Sequence, residues 1–165
     1  MIRYNQSDID KLKKKLEELK APVKQNDARE MGKRVVAKML ALIRSGTSPI
    51  EGRGKFPAYR GGYRKAISRG YFPGKNLTPV NLTLDGAFLE SLTSGTVKRE
   101  SGFGASIGFN DRLSQDKERG HREGANGQAR RPVIPQPGRG ESFVSSIKAI
   151  YIGILKDIIK RASRK

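Results

Sequence analysis

Apolar residues along this chain fall into helical stripes and one hairpin, set between long polar or basic stretches. Ile9, Leu12, Leu16 and Leu19 recur at helical spacing behind Ser7, a suitable helix cap, and Pro22 is expected to end that helix. Its other positions are charged, as in KLKKKLEELK. A stripe this thin predicts a helix resting on a partner surface and not one buried in a core. The next helix opens at Asp27, with Glu30 at capping-box spacing. Met31, Val35, Val36, Met39, Leu40, Leu42 and Ile43 give it a core-wide face, and Gly46 is placed to cap its end.

The stretch VNLTLDGAFLESLTSGTV changes period part-way. Val80, Leu82 and Leu84 alternate as in a strand, whereas Phe88, Leu89 and Leu92 recur as in a helix. It predicts an extended lead-in, a cap at Asp85, a short helix, and a turn at Gly95 into a hairpin. That hairpin pairs TVKRE with ASIGFN about SGFG. RRPVIPQPGRGE is extended at Pro132 to Pro135, because residues before proline avoid the helical region. Ser142 is expected to cap a last helix carrying Phe143, Ile147, Ile150, Tyr151, Ile154, Leu155, Ile158 and Ile159. Its basic end, KRASRK, complements the helix dipole.

The sum is an α+β fold: a small antiparallel sheet with a β-hairpin, packed by amphipathic helices, plus extended loops and arms. The expected organisation is an N-terminal helical arm at 1–25 and a single domain at 26–165. Long loops are expected at 45–76 and 111–131, the latter polar and Gly-rich.

Composition narrows the function classes. The chain has 165 residues, and 34 Lys+Arg against 16 Asp+Glu give a net charge of +18. That charge attracts polyanions: nucleic acid, anionic membrane or an acidic protein surface. The lack of cysteine excludes disulfides, thiolate metal sites and a cysteine nucleophile. No apolar run approaches the roughly 18 residues of a membrane span, and MIRYNQSDIDKLKKK lacks the apolar centre of a signal peptide. A soluble protein without a membrane partner is expected.

No catalytic constellation emerges. His121, the single histidine, sits among charges in ERGHREG and reads as a surface residue, not a metal ligand. GRGKF and GFGASIGF carry glycines without the spacing or placement of phosphate-binding loops. There is no GxSxG elbow, and Glu17, Glu18, Asp111, Asp116, Glu118 and Glu123 read as solvated acids. No enzyme, catalytic residue, cofactor or metal is expected.

The informative segment is Ser45–Asn76. Its basic residues Arg53, Lys55, Arg60, Arg64, Lys65, Arg69 and Lys75 have no acid among them after Glu51. Tyr59, Tyr63 and Ile67 share a helical spacing, so a short helix interrupts the loop. Tyr59, Tyr63, Tyr71 and Phe72 have the chemistry to stack on bases while Arg60, Arg64 and Lys75 hold phosphates. Tyr and Arg are equally the residues enriched in protein–protein contacts. The residue types leave both readings open.

Taken together, GTSPIEGRGKFPAYRGGY, KNLTPVNLTLDGAFLESL, a hairpin, GHREGANGQARRPVIP and a terminal helix resemble a family from tailed bacteriophages. These are the neck or tail-completion proteins, also called virion morphogenesis or head–tail joining proteins. Asn81, Leu82, Leu84, Gly86, Leu89, Ser91 and Leu92 match the family's VNLTLTG-x-ML-x-SL-like segment. His121, Gly124, Arg131, Pro132 and Pro135 match its H-x-x-G…RPFLP-like element. The chain departs at DGAF and at VIP, which leaves the subfamily open.

The resemblance implies a non-enzymatic subunit of a homo-oligomeric ring, six- or twelve-fold by subfamily. The ring joins the portal side of the capsid to the tail, and it is assembled in the host cytoplasm. Implied partners are copies of itself, other neck, portal-side or tail-tube proteins, and DNA passing through the channel. Ring and neighbour contacts are then expected at Leu12, Leu16 and Leu19 of the first helix. In the loop they are expected at Arg53, Phe56, Tyr59, Arg60, Tyr63, Arg64, Tyr71 and Phe72. The alternative is a small basic RNA- or DNA-binding protein using the Tyr/Arg-rich loop at 53–75.

Overall fold

The computed structural model describes residues 5–82, 86–100 and 102–164. They form helices α1 (Gln6–Glu18), α2 (Gln25–Arg44), α3 (Gly61–Ser68), α4 (Ala87–Glu90), α5 (Arg112–Glu123) and α6 (Ser145–Ala162). Strands β1 (Leu92–Arg99) and β2 (Gly102–Phe109) pair as one antiparallel two-stranded sheet. The fold is α+β, as the apolar pattern requires. No helix of the described residues is long and apolar enough to cross a membrane. The chain builds two compact units: residues 1–36, 94–107 and 144–165, and residues 37–93 and 108–143.

In the first unit α1 packs along α6. Asn5, not Ser7, caps α1: its side chain accepts the Asp8 N–H at 3.0 Å, and the Asp8 carboxylate accepts the Asn5 N–H at 2.9 Å. Ile9 and Leu16 are buried in a cluster with Met31, Ile152, Leu155 and Ile158, and Leu12 packs against its edge. The stripe of this helical arm, expected to rest on a partner surface, is therefore covered by its own chain. The reason is α6, whose apolar residues form a face broad enough to cover the thin stripe of α1. Leu19, beyond the last turn, is 39% exposed.

Arg161 and Asp27 pair at 2.6 Å, linking α6 to the start of α2. Gly102 opens β2 at φ 126°, and a Cβ there would lie 2.7 Å from the Val23 carbonyl oxygen. The close approach lets Phe103 donate its N–H to that carbonyl at 2.9 Å.

The second unit contains the end of α2, capped where Gly46 donates to the Ile43 carbonyl at 2.9 Å. The segment after it is folded, not loose: Thr47 bridges Lys55, Ile50 bridges Phe143, and α3 follows. Val80 and Leu82 are buried in turn and irregular backbone, so the expected lead-in strand does not form there. Leu84 and Asp85 lie outside the described residues. Helix α4 starts after Gly86, and Leu92 already belongs to β1. Gly95 is thus inside the strand and not at its turn.

Two further expectations change. Ser142 does not cap α6, which starts after Val144; the Ser142 carbonyl accepts the Glu51 N–H at 2.9 Å. The polar segment expected as a loop at 111–131 contains α5. Asp111 caps that helix by accepting the Ser114 N–H at 2.8 Å, and Gly124 ends it in the left-handed conformation at φ 77°. Its buried face is polar (Ser114, Glu118 and Arg122), while Leu113 is 64% exposed. Hydrophobic periodicity has nothing to register in such a helix.

The packing of α1 has a measurable consequence. Leu16→Ala should lower the unfolding free energy by about 2–5 kcal/mol, the usual loss for a buried leucine. Leu19→Ala should change it by less than about 0.5 kcal/mol, as at most exposed sites. Denaturant titration of both variants separates this packing from a free arm, for which the two losses would be equally small.

Candidate functional site

The second unit gathers part of the basic loop, Tyr59, Arg60, Tyr63, Phe72 and Lys75, around one buried cation. Arg131 is 1% exposed, yet no carboxylate is paired with it among the described residues. Each nitrogen of its guanidinium donates to a backbone oxygen instead. Nε donates to Pro57 O at 2.8 Å, Nη2 to Ala58 O at 2.8 Å, and Nη1 to Ala129 O at 3.1 Å. The Tyr59 ring faces the guanidinium at 4.6 Å, a cation–π contact. The Arg131 N–H donates to the His121 carbonyl at 2.7 Å, so the same residue ties the loop to α5. Burial pushes the Arg131 pKa below its ordinary value.

Aromatic rings extend this cluster. Tyr59 meets Tyr63 edge-on at 5.3 Å between ring centroids, and Tyr63 meets Phe72 at 5.1 Å. The Lys75 ammonium lies over both tyrosines, 5.5 Å from Tyr59 and 6.0 Å from Tyr63. The Tyr59 hydroxyl is buried without a completed hydrogen bond, although the Leu82 peptide group approaches it. Burial raises this hydroxyl to about 12 against the opposing pull of Arg131.

A second network braces α5. Arg122 pairs with Glu118 at 2.8 Å and with Glu141 at 2.9 Å, and it also donates to the Ile134 carbonyl. Glu141 accepts from Arg53 at 2.7 Å and from the Gln136 N–H at 3.0 Å. Burial pushes Glu141 up, but the Gln136 N–H, Arg53 and Arg122 together outweigh it and hold it down to about 2. Glu118 is buried and ion-paired, not the solvated acid its polar context implies.

His121 is also not a surface residue. Its ring packs on Phe88 at 5.5 Å, and Phe88 stacks on Phe109 at 4.8 Å. Burial lowers its pKa to about 4, helped by Lys75, Arg131 and Lys117. The imidazole is neutral at pH 7. It forms one wall of a cleft of about 540 Å³ whose lining includes Arg60, Tyr63, Lys117, Gln128 and Arg131. The Gln128 side chain holds the rim, accepting the Arg60 N–H at 3.3 Å and donating to the Arg60 carbonyl at 3.4 Å. Among the described residues no group of three His, Asp or Glu side chains is placed to hold a metal ion.

The expected contact residues thus divide. Phe56 is 7% and Tyr59 2% exposed, so both are core of their own chain and neither offers a face to a base or a partner. Tyr63 and Phe72 are half-buried and their rings already engage each other. Arg53 is committed to Glu141. Arg60, Arg64 and Tyr71 remain exposed, Tyr71 at 69%. Sequence reasoning missed the structural roles of Arg122, Glu118 and Glu141. Only the Glu-x-x-x-Arg spacing of Glu118 and Arg122 hinted at a helical pair. Comparison with protein-family models, curated proteins and solved structures gives no match.

Two outcomes follow from this geometry. Tyr59→Phe removes an unpartnered buried hydroxyl, so it should be neutral or stabilising by up to about 1 kcal/mol in denaturant titration. Tyr59→Ala should cost about 3–5 kcal/mol, as for other large buried rings. The pH dependence has a definite sign. His121 titrates at about 4 in the fold against an ordinary 6.5, so its stabilising contribution is complete above pH 6.5 and is lost as the pH falls to about 4. Glu141, held at about 2 against 4.5, adds a second loss below pH 4.5. Urea unfolding across pH 7 to 3 should show both losses, and His121→Gln should flatten only the upper one.

Proposed function

We propose that the protein is a structural subunit of a tailed-bacteriophage neck, part of a head–tail connector or tail-completion ring. The observation that carries this reading is where the residues of the resemblance lie. They serve the backbone, not a reacting centre. Asn81 accepts the Asn76 N–H and donates to the Gly74 carbonyl, both at 3.1 Å. Ser91 donates to Phe88 O at 3.0 Å, Leu82, Leu89 and Leu92 are core, and Gly124 ends α5. His121 packs on Phe88, and Arg131 holds the loop. A motif made of framework residues suits a protein whose task is to present a surface.

The surface so presented is basic and sparsely aromatic. Arg60, Arg64, Lys65, Arg69 and Tyr71 are exposed along and just beyond α3, on a chain of net charge +18. In the ring reading these groups meet acidic faces of neighbouring neck proteins, with copies of the chain completing the ring. Some of the basic groups line the passage for DNA.

The nucleic-acid reading keeps its electrostatic part and, of its four stacking rings, only the exposed Tyr71, because Tyr59 is enclosed and Tyr63 and Phe72 pack on each other. Purified protein should form closed rings in negative-stain images and complete heads with tails in an assembly extract. A chain that stays monomeric and joins nothing would contradict the proposal. Tight single-strand binding whose affinity falls steeply with salt would support the alternative.

A further inference from the structure

We infer that the cleft between α3, α5 and the 125–131 segment receives a carboxylate from an acidic peptide segment of a neighbouring protein. The inference deepens the assembly reading and rests on it for the source of that peptide. Three observations carry it. The cleft of about 540 Å³ falls within the ordinary size of a ligand pocket. Its described lining includes Arg60, Lys117 and Arg131 and contains no Asp or Glu. Its wall histidine is surrounded by cations alone: Lys117 on its own helix, Arg131 from the 125–131 side, and Lys75 from the turn after α3. Phe88 of α4 covers the ring's other neighbour position without charge.

Three of the five N–H donors of the buried Arg131 guanidinium are engaged by carbonyls, so its main contribution is field. The contacting groups are Lys117 and Arg60 at the rim. A carboxylate entering here gains charge-assisted contact and relieves the crowding of like charges. Chain chemistry favours a peptide over nucleic acid. A polynucleotide needs an open groove and free ring faces, whereas the cleft's tyrosines, Tyr59 and Tyr63, are enclosed or packed on neighbouring rings and the exposed Tyr71 is not part of its lining.

The test is NMR of the full chain titrated with a blocked tetrapeptide, acetyl-Asp-Glu-Asp-Glu-amide. Inorganic phosphate and a ten-nucleotide thymidine strand serve as the other arms. The peptide should shift the Gly61, Gly62, His121 and Gln128 amides together. Saturation should move the His121 imidazole titration upward from about 4, a readout that non-specific surface binding would not move. Lys117→Met, on the half-exposed side of α5, should weaken the peptide roughly tenfold or more, the usual loss of a charge-assisted contact.

Shifts scattered over the outer turn of α3 (Arg64–Ser68) and the hairpin, with an unmoved His121 and an unaffected Lys117→Met variant, would overturn the inference. So would the thymidine strand or phosphate producing the cleft shifts at lower concentration than the peptide. Rings that form while the cleft ignores the peptide would sink this inference and spare the neck assignment. A peptide seated in the cleft of a chain that never assembles would do the reverse.

Discussion

Burying a guanidinium with no counter-ion among the described residues is the constraint around which the second unit is arranged. Removing a charge from water costs several kcal/mol unless every donor finds an acceptor. Arg131 meets most of that demand with the Pro57, Ala58 and Ala129 carbonyls, which take one N–H from each nitrogen, and with the Tyr59 face. Those carbonyls belong to backbone with no regular secondary structure of its own. The cation therefore acts as the local substitute for a sheet, fixing two irregular segments against each other. Phe56 and Tyr59 fill the core beneath them, and α3 starts from a defined position.

The rest of the unit follows from the same accounting of buried polar groups. Helix α5 hides Glu118 and Arg122 and not leucines, and Glu141 and Arg53 complete their pairing. Such networks contribute modestly to net stability, yet breaking one member leaves an uncompensated charge behind. They specify one arrangement more than they add free energy. What they leave outside is a basic face on α3, one exposed tyrosine and a cleft without acids. A surface held rigid by its own polar frame is suited to repeated contact with neighbours.

The sequence was legible where apolar periodicity ran through a whole helix, and not at Val80 and Leu82, whose alternation predicted a strand that does not form. Helices α1, α2 and α6 follow from Leu, Ile, Met and Val at the right spacing, and the hairpin from two short runs about a glycine turn, although β2 opens at Gly102, inside the turn expected at SGFG. It was illegible wherever the buried groups were polar. Helix α5 has Ser114, Glu118 and Arg122 inward and Leu113 outward, so its signals were Asp111 before it, Gly124 after it and the Glu118–Arg122 spacing within it. Leu16 was read as a partner contact because α1 alone does not reveal that α6 carries apolar residues to spare. Tyr59 looked like a stacking platform because its neighbours are arginines and glycines. The cation that encloses it, Arg131, is distant in sequence and identifiable only once the loop has folded back.

Backbone amide exchange tests the central role of Arg131 most directly. In the native chain the amides of Phe56, Arg60 and Arg131, which donate to Gly46 O, Gln128 Oε1 and His121 O, should exchange slowly. In Arg131→Met those three should lose protection selectively, while the α1 and α6 amides remain as slow as before. Fast exchange of Phe56 and Arg60 in the native chain, or unchanged protection in the variant, would contradict the account.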